Sequence, residues 1–235
     1  MGDSEGSTQY VLAVGPSGVG IMIRWLYEKA LARQISTLPS HICFMIDEQD
    51  VIDAPGRMYD VTCWCREISE KIGGYIDGVP ERRHVAGIQR VTFHVSTRDS
   101  GRVKSYLEEI QKIGRIARLN IHMEDQDLKT GQGMEVLVAI GKSGRDEIVH
   151  CLKEIAREGI PPEDVTEEVI EEHLTFPYNP DLVIKTGGSH LTDFLIWQSV
   201  YSELFFLDVN WRWFRKVDFF RALRDYQSRA RRFGK

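Results

Sequence analysis

One run of residues constrains this chain more than any other. His41-Ile42-Cys43-Phe44-Met45-Ile46-Asp47 is apolar almost without interruption. A strand with one wet face alternates apolar and polar residues; this run does not, so both of its faces must be covered. Thr37-Leu38-Pro39-Ser40 breaks the chain just ahead of it. Such a strand belongs inside a parallel sheet with helices on either side, and the acid that ends it falls where open α/β sheets hold their ligands. Asp47 is therefore the first candidate site residue.

The rest of the chain alternates to match. Ile21 to Ile35 carries apolar residues at helical spacing, with Arg24, Glu28, Lys29 and Arg33 among them, and reads as an amphipathic helix. Met58 to Ile72 and Val103 to Ile116 read as helices, Ile88 to Ser96 and Leu119 to Met123 as strands. The stretches Gly73 to Gly87 and Glu124 to Gly133 are polar and turn-rich, hence surface loops. Met134 to Ile140 is another buried strand, and a helix follows through Ile155. Thr166 is placed to cap an acidic helix running to Leu174. Asp181 to Ile184 forms a short strand, Leu191 to Tyr201 a helix, Leu204 to Asp208 a last strand, and Asp218 to Arg232 a closing charged helix. The expected fold is α/β, a central mostly parallel sheet wrapped by helices. Residues 1–20 form a flexible arm and 21–235 a single domain.

With 235 residues, 42% hydrophobic and 28% charged, the chain is long enough for one sizeable core. A net charge of -5 leaves no domain-wide basic footprint for nucleic acid. The four cysteines, Cys43, Cys63, Cys65 and Cys151, lack metal spacing, which implies a reduced, cytoplasmic setting. Tyr10 to Ile23 is broken by Gly15-Pro16-Ser17-Gly18 and falls short of the ~20 apolar residues that span a bilayer. The same glycines are followed by Ile21 and Met22, where a phosphate loop needs Lys and Ser or Thr, so nucleotide binding is excluded there.

Two stretches offer anion chemistry. Gly141-Lys142-Ser143-Gly144-Arg145-Asp146-Glu147 opens a helix whose free N–H groups suit a phosphate, although Asp146 and Glu147 complement the same terminus without a ligand. Arg231-Arg232-Phe233-Gly234-Lys235 pairs guanidinium groups with a glycine that permits close backbone approach to an anion. From charge alone, cations set against the dipole of their own helix explain that cluster better.

The segment Phe194-Leu195-Ile196-Trp197-Gln198-Ser199-Val200-Tyr201-Ser202-Glu203-Leu204-Phe205-Phe206-Leu207-Asp208-Val209, with Asp218 to Tyr226 and Arg231-Arg232-Phe233-Gly234, resembles the C-terminal signature of cis-prenyltransferases, the undecaprenyl and dehydrodolichyl diphosphate synthases. Gly141 to Val149, Phe93 to Asp99 and Leu38 to Asp47 are similar to other segments of that family. The resemblance implies a mostly parallel sheet wrapped by helices, with a hydrophobic tunnel for a growing polyprenyl chain and diphosphate sites at its mouth. It also implies isoprenoid diphosphates as substrates and Mg as the cofactor.

The departures from the family pattern matter as much. In catalytic members the strand-ending Asp is followed by a Gly-rich loop with an Arg that binds the allylic diphosphate; here Asp47 is followed by Glu48-Gln49-Asp50-Val51. Acids there repel a diphosphate. The family's second diphosphate motif reads here Lys185-Thr186-Gly187-Gly188-Ser189-His190, with Lys for the first Arg and the second Arg missing; Lys lacks the bidentate fork. Glu203 matches a glutamate used near magnesium. The family's R-x-G motif survives as Arg232-Phe233-Gly234, which implies a role in the isopentenyl diphosphate site of a partner subunit, with Lys185, Gly187, Gly188 and Arg145 as weaker substrate contacts. This pattern resembles the non-catalytic, Nogo-B-receptor-type subunit of heteromeric enzymes that make polyprenyl diphosphate for dolichol-type glycosyl carrier lipids. On that expectation the chain pairs with a catalytic subunit as a heterodimer or heterotetramer, Mg sits in the partner's active site, and the product draws the complex to the membrane surface. Asp47 and Glu203 remain as degenerate catalytic candidates. The alternatives are a self-sufficient prenyltransferase working as a homodimer, and a module that binds a prenyl lipid without transferring it.

Overall fold

A computed structural model describes residues 18–73, 87–97, 99–123, 126–141, 143–174, 178–188, 195 and 197–233. The expected arm up to residue 17 and the stretch 74–86 lie outside these residues. Helix α1 (Gly18–Gln34) begins inside what was expected to be the arm. Strand β1 (His41–Asp47) is buried from His41 to Ile46, with Asp47 emerging at its end. Helices α2 (Glu48–Asp53) and α3 (Arg57–Gly73) lead to β2 (Arg90–Ser96).

The helix expected over Val103 to Ile116 is instead three short pieces: α4 (Ser100–Lys104), α5 (Leu107–Gln111) and a 3-10 turn at Lys112–Arg115. Buried Val103, Ile110 and Ile113 anchor them in turn, and the last turns run tight before β3 (Arg118–Met123). Strand β4 (Gln126–Thr130) pairs antiparallel with β3, so the polar stretch read as a loop is an edge strand. Its charged residues suit a sheet edge, where they discourage further pairing. Strand β5 (Glu135–Ile140), helix α6 (Gly144–Glu158) and helix α7 (Glu167–His173) follow as expected, with the Thr166 hydroxyl accepting the Val169 N–H as the α7 cap.

Strands β6 (Leu182–Thr186) and β7 (Glu203–Leu207) complete a seven-stranded sheet in the order β4-β3-β5-β2-β1-β6-β7, parallel except at β3–β4. Of the helix expected over Leu191 to Tyr201, Leu195 and 197–201 are described, and 197–201 is a turn. Helix α8 (Lys216–Phe233) closes the chain. The Gln227 side chain ties α8 to the end of α1: its Oε1 accepts the Ser36 and Thr37 N–H groups at 2.6 and 3.0 Å, and its Nε2 donates to the Gln34 carbonyl.

The main core lies between the sheet and helices α3 and α8. Phe44 stacks on Phe93 with ring centroids 5.4 Å apart, and Trp211, Phe214 and Phe219 crowd around Phe44 at 5.9 to 6.2 Å. All five rings are fully buried. These aromatic residues of the C-terminal region are therefore core, while Phe206 and Trp213 are left exposed. Helix α1 departs from its expected amphipathic pattern: Leu31 and Ala32 are buried, while Ile23, Leu26 and Tyr27 are exposed. No helix among the described residues is long and apolar enough to cross a membrane.

Candidate functional site

Parallel register brings the carboxyl ends of the central strands together, Asp47 of β1 lying beside Ser96 of β2. The local sequence then decides what Asp47 can do. Helix α2 starts at the very next residue, with Asp47 as its N-cap. The Asp47 Oδ1 accepts the Asp50 N–H at 2.9 Å, and the Asp47 N–H donates to Asp50 Oδ2 at 3.2 Å. This reciprocal capping box satisfies the first free donors of the helix. Between the two capping residues, the Glu48 carboxylate takes both the Arg102 guanidinium and the Thr97 hydroxyl. A helix N-terminus ordinarily attracts anions; here the chain's own carboxylates meet it.

Asp50 is the perturbed group of this cluster. Burial, with help from the charges of Asp47 and Asp53, pushes its pKa up to about 6 against the pull of the Asp47 N–H and Lys185. Lys185 is half-buried on β6, beside Met45 of β1. Gly187 and Gly188 follow with φ of 75° and 130°, and their N–H groups donate to the carbonyls of Val209 and Leu207. Those bonds tie the loop to the end of β7, so the Gly187 and Gly188 N–H groups are already engaged. Ser189 and His190 lie outside the described residues. Arg145 is exposed in the first turn of α6, whose terminus is complemented by the chain itself: Ser143 Oγ accepts the Asp146 N–H and donates to the Asp146 carboxylate.

Glu203 does not join this site. It opens β7 opposite Leu182, which pairs with Ile42, so it sits at the amino end of the sheet while Asp47 sits at the carboxyl end. The offset is about 16 Å along the strands at ~3.3 Å per residue. There Glu203 pairs with Arg229 of α8 at 3.2 Å. Arg232 and Phe233 lie in the last turn of α8, beyond Arg229 and at the same amino end. Gly234 falls outside the described residues. The two degenerate catalytic candidates, Asp47 and Glu203, are thus separated, and the last turn of α8 lies away from this chain's own Asp47.

Sequence reasoning missed Arg102 and Thr97 as partners of Glu48. The spacing of Asp47 and Asp50 was the available signal, since acids three apart ahead of an apolar residue can close a capping box.

Residues 86–234 match the sequence model of the family described as "Putative undecaprenyl diphosphate synthase". The chain belongs to the cis-prenyltransferase family. It is 42% identical over 153 residues to the tritrans,polycis-undecaprenyl-diphosphate synthase (geranylgeranyl-diphosphate specific) of Methanocaldococcus jannaschii, covering 58% of this chain and 54% of that protein. Similarity to the isoprenyl transferase of Thermus thermophilus extends further, at 33% identity over 258 residues, 90% of this chain and 95% of the relative. That alignment is longer than the 235 residues of this chain, so the relative carries segments without a counterpart here. Among solved structures, lavandulyl diphosphate synthase from Lavandula x intermedia superposes with a TM-score of 0.58 at 18% identity, over 81% of this chain and 95% of that one, a likeness of fold.

These relatives carry the names of synthases and transferases, and none of those names supports the expected Nogo-B-receptor-type subunit, a heterodimer or a dolichol product. Cis-prenyltransferases typically use Mg2+. The donor set of this family member does not fit the ion: Asp47 is engaged in its capping box, Glu203 is at the far end of the sheet, and no group of three His, Cys, Asp or Glu able to hold a metal occurs among the described residues.

Proposed function

We propose that this cis-prenyltransferase serves the condensation of isopentenyl diphosphate with an allylic diphosphate, yielding polyprenyl diphosphate for glycosyl carrier lipids, and that it does so as the supporting subunit of a two-chain enzyme. The carrying observation is the start of α2, where Asp47, Glu48 and Asp50 satisfy the helix terminus, Arg102 and Thr97 among themselves. A diphosphate arriving there meets acids at close range and donors already engaged. The buried rings between the sheet and α3 and α8 support the same reading, since a growing prenyl chain finds no room among them. In this division of labour the catalytic subunit binds Mg2+ and the allylic substrate. Arg232 to Gly234 contribute cation and backbone donors to its isopentenyl diphosphate site, where holding two reactants in register supplies rate. The place of α8's last turn, far from Asp47, suits service to another chain's site.

A second reading has the relatives behind it. Their names are those of synthases and transferases, and for several of them the similarity spans 89 to 94% of this chain. On that reading the chain is a self-sufficient enzyme working as a homodimer, with Lys185 and Asp47 in reduced roles. The test incubates the purified chain with Mg2+, isopentenyl diphosphate and farnesyl or geranylgeranyl diphosphate, alone and with a catalytic homologue from the same genome. Product from the mixture only, lost on Arg232→Ala, is the expected outcome. Turnover by the chain alone overturns the subunit reading in favour of the homodimer.

A further inference from the structure

The first half of α1 stands out from the rest of the fold. Met22, Ile23, Trp25 and Leu26 are each between 51% and 60% exposed. The buried contacts of α1 come only further along, at Leu31 and Ala32. Cations gather behind this apolar half. A notch of about 180 Å³ between α1, α3 and α8 is lined by Trp25, Lys29, Lys71, Lys216 and Phe220 together with Glu28 and Glu67, and Lys216 pairs with Glu67. Lys29 sits 3.7 Å over the Trp25 ring, and the Arg221 guanidinium lies 5.6 Å from the Tyr27 ring. Burial and then the charges of Arg33, Lys29 and Lys216 hold Lys71 below the ordinary lysine range, a sign of how closely these cations crowd. With Lys216 and Glu67 paired, Lys29, Lys71 and the neighbouring Arg33 outweigh Glu28 and leave this face positive.

Helices that lie in a membrane interface combine these two features, apolar and tryptophan side chains at the headgroup boundary and basic side chains toward anionic lipid. We propose that the first half of α1 docks this protein on an anionic lipid surface, with Met22, Ile23, Trp25 and Leu26 entering the headgroup boundary and Lys29 and Lys71 facing lipid phosphates. A protein partner would not by itself call for cations crowded behind an apolar tip in an acidic chain; a phosphate-bearing surface does. This proposal is independent of whether the chain is catalytic.

The test is co-sedimentation of the full chain with vesicles of phosphatidylcholine alone and of equal parts phosphatidylcholine and phosphatidylglycerol, at low and high salt. Binding is expected to the anionic vesicles and to weaken with salt. Leu26→Glu is expected to lower the partition coefficient roughly tenfold or more, and Lys29→Ala about fivefold. Both side chains are exposed, and circular dichroism checks that the variants stay folded. Binding that is equal on neutral vesicles, or unmoved by either variant, overturns the proposal. So does absence of binding by the full chain, including the case in which Leu26→Glu changes the oligomeric state and so assigns the face to a protein contact.

Discussion

Replacing Asp50 with Asn isolates the energetics of the α2 start. Burial first, then the neighbouring Asp47 and Asp53, raise the Asp50 carboxyl from the ordinary aspartate value of 3.8 to about 6. The folded chain therefore keeps this proton to a higher pH than the unfolded chain does. The associated stability is fully present below the unfolded value and is lost as pH rises through the folded one. A rise of that size corresponds to roughly 3 kcal/mol, and partial exposure to solvent screens it to about 1.5 kcal/mol. Asn keeps an oxygen that accepts the Asp47 N–H. It forgoes the favourable charge at a helix N-terminus, about 0.5 kcal/mol. The variant is thus expected to be more stable than the parent by about 1 kcal/mol near pH 8, with the difference vanishing near pH 4. Urea unfolding followed by circular dichroism across that range, read as variant minus parent, cancels the other titrating groups. A variant less stable near pH 8, or a difference that does not change with pH, refutes the reasoning.

Gln227→Ala removes the side chain that caps the end of α1, stranding the Ser36 and Thr37 N–H groups, and should cost about 2–3 kcal/mol in denaturant unfolding. A loss near zero would mean that water replaces the glutamine without penalty. Phe44→Ala opens a hole at the centre of five buried rings and should cost about 3–5 kcal/mol; a cost below about 1 kcal/mol would show that the aromatic cluster is loosely packed.

The strands were legible where burial imposed composition. His41 to Ile46 had to be covered on both faces, β5 and β6 carry similar apolar runs, and β2 alternates Val91, Phe93 and Val95 with Thr92 and His94. Strand β4 was not legible, because an edge strand buries little and Leu128 is its one aliphatic residue. The break after Lys104 escaped periodicity for a related reason: Val103, Ile110 and Ile113 keep helical spacing across short pieces that tertiary packing, not propensity, separates. The position of Asp47 was read correctly. Its partners were not, since Arg102 and Thr97 reach Glu48 only after β1 and β2 have paired. Glu203 shows the opposite failure: its neighbours in sequence match the family, yet only register reveals which end of the sheet it occupies.

The place of β1 in the sheet has a consequence for how the chain reaches its folded state. Its two neighbours become available at different times, β2 as the next strand and β6 only at Leu182–Thr186, where the Asp181 carboxylate accepts the His41 N–H. Until β6 is synthesised and docks, one flank of Ile42-Cys43-Phe44-Met45-Ile46 carries unpaired backbone groups in an uncharged segment without proline. Such an open flank invites pairing with other copies. Late closure of a long loop also slows folding. Soluble yield should therefore depend on how quickly the second half of the chain follows the first from the ribosome.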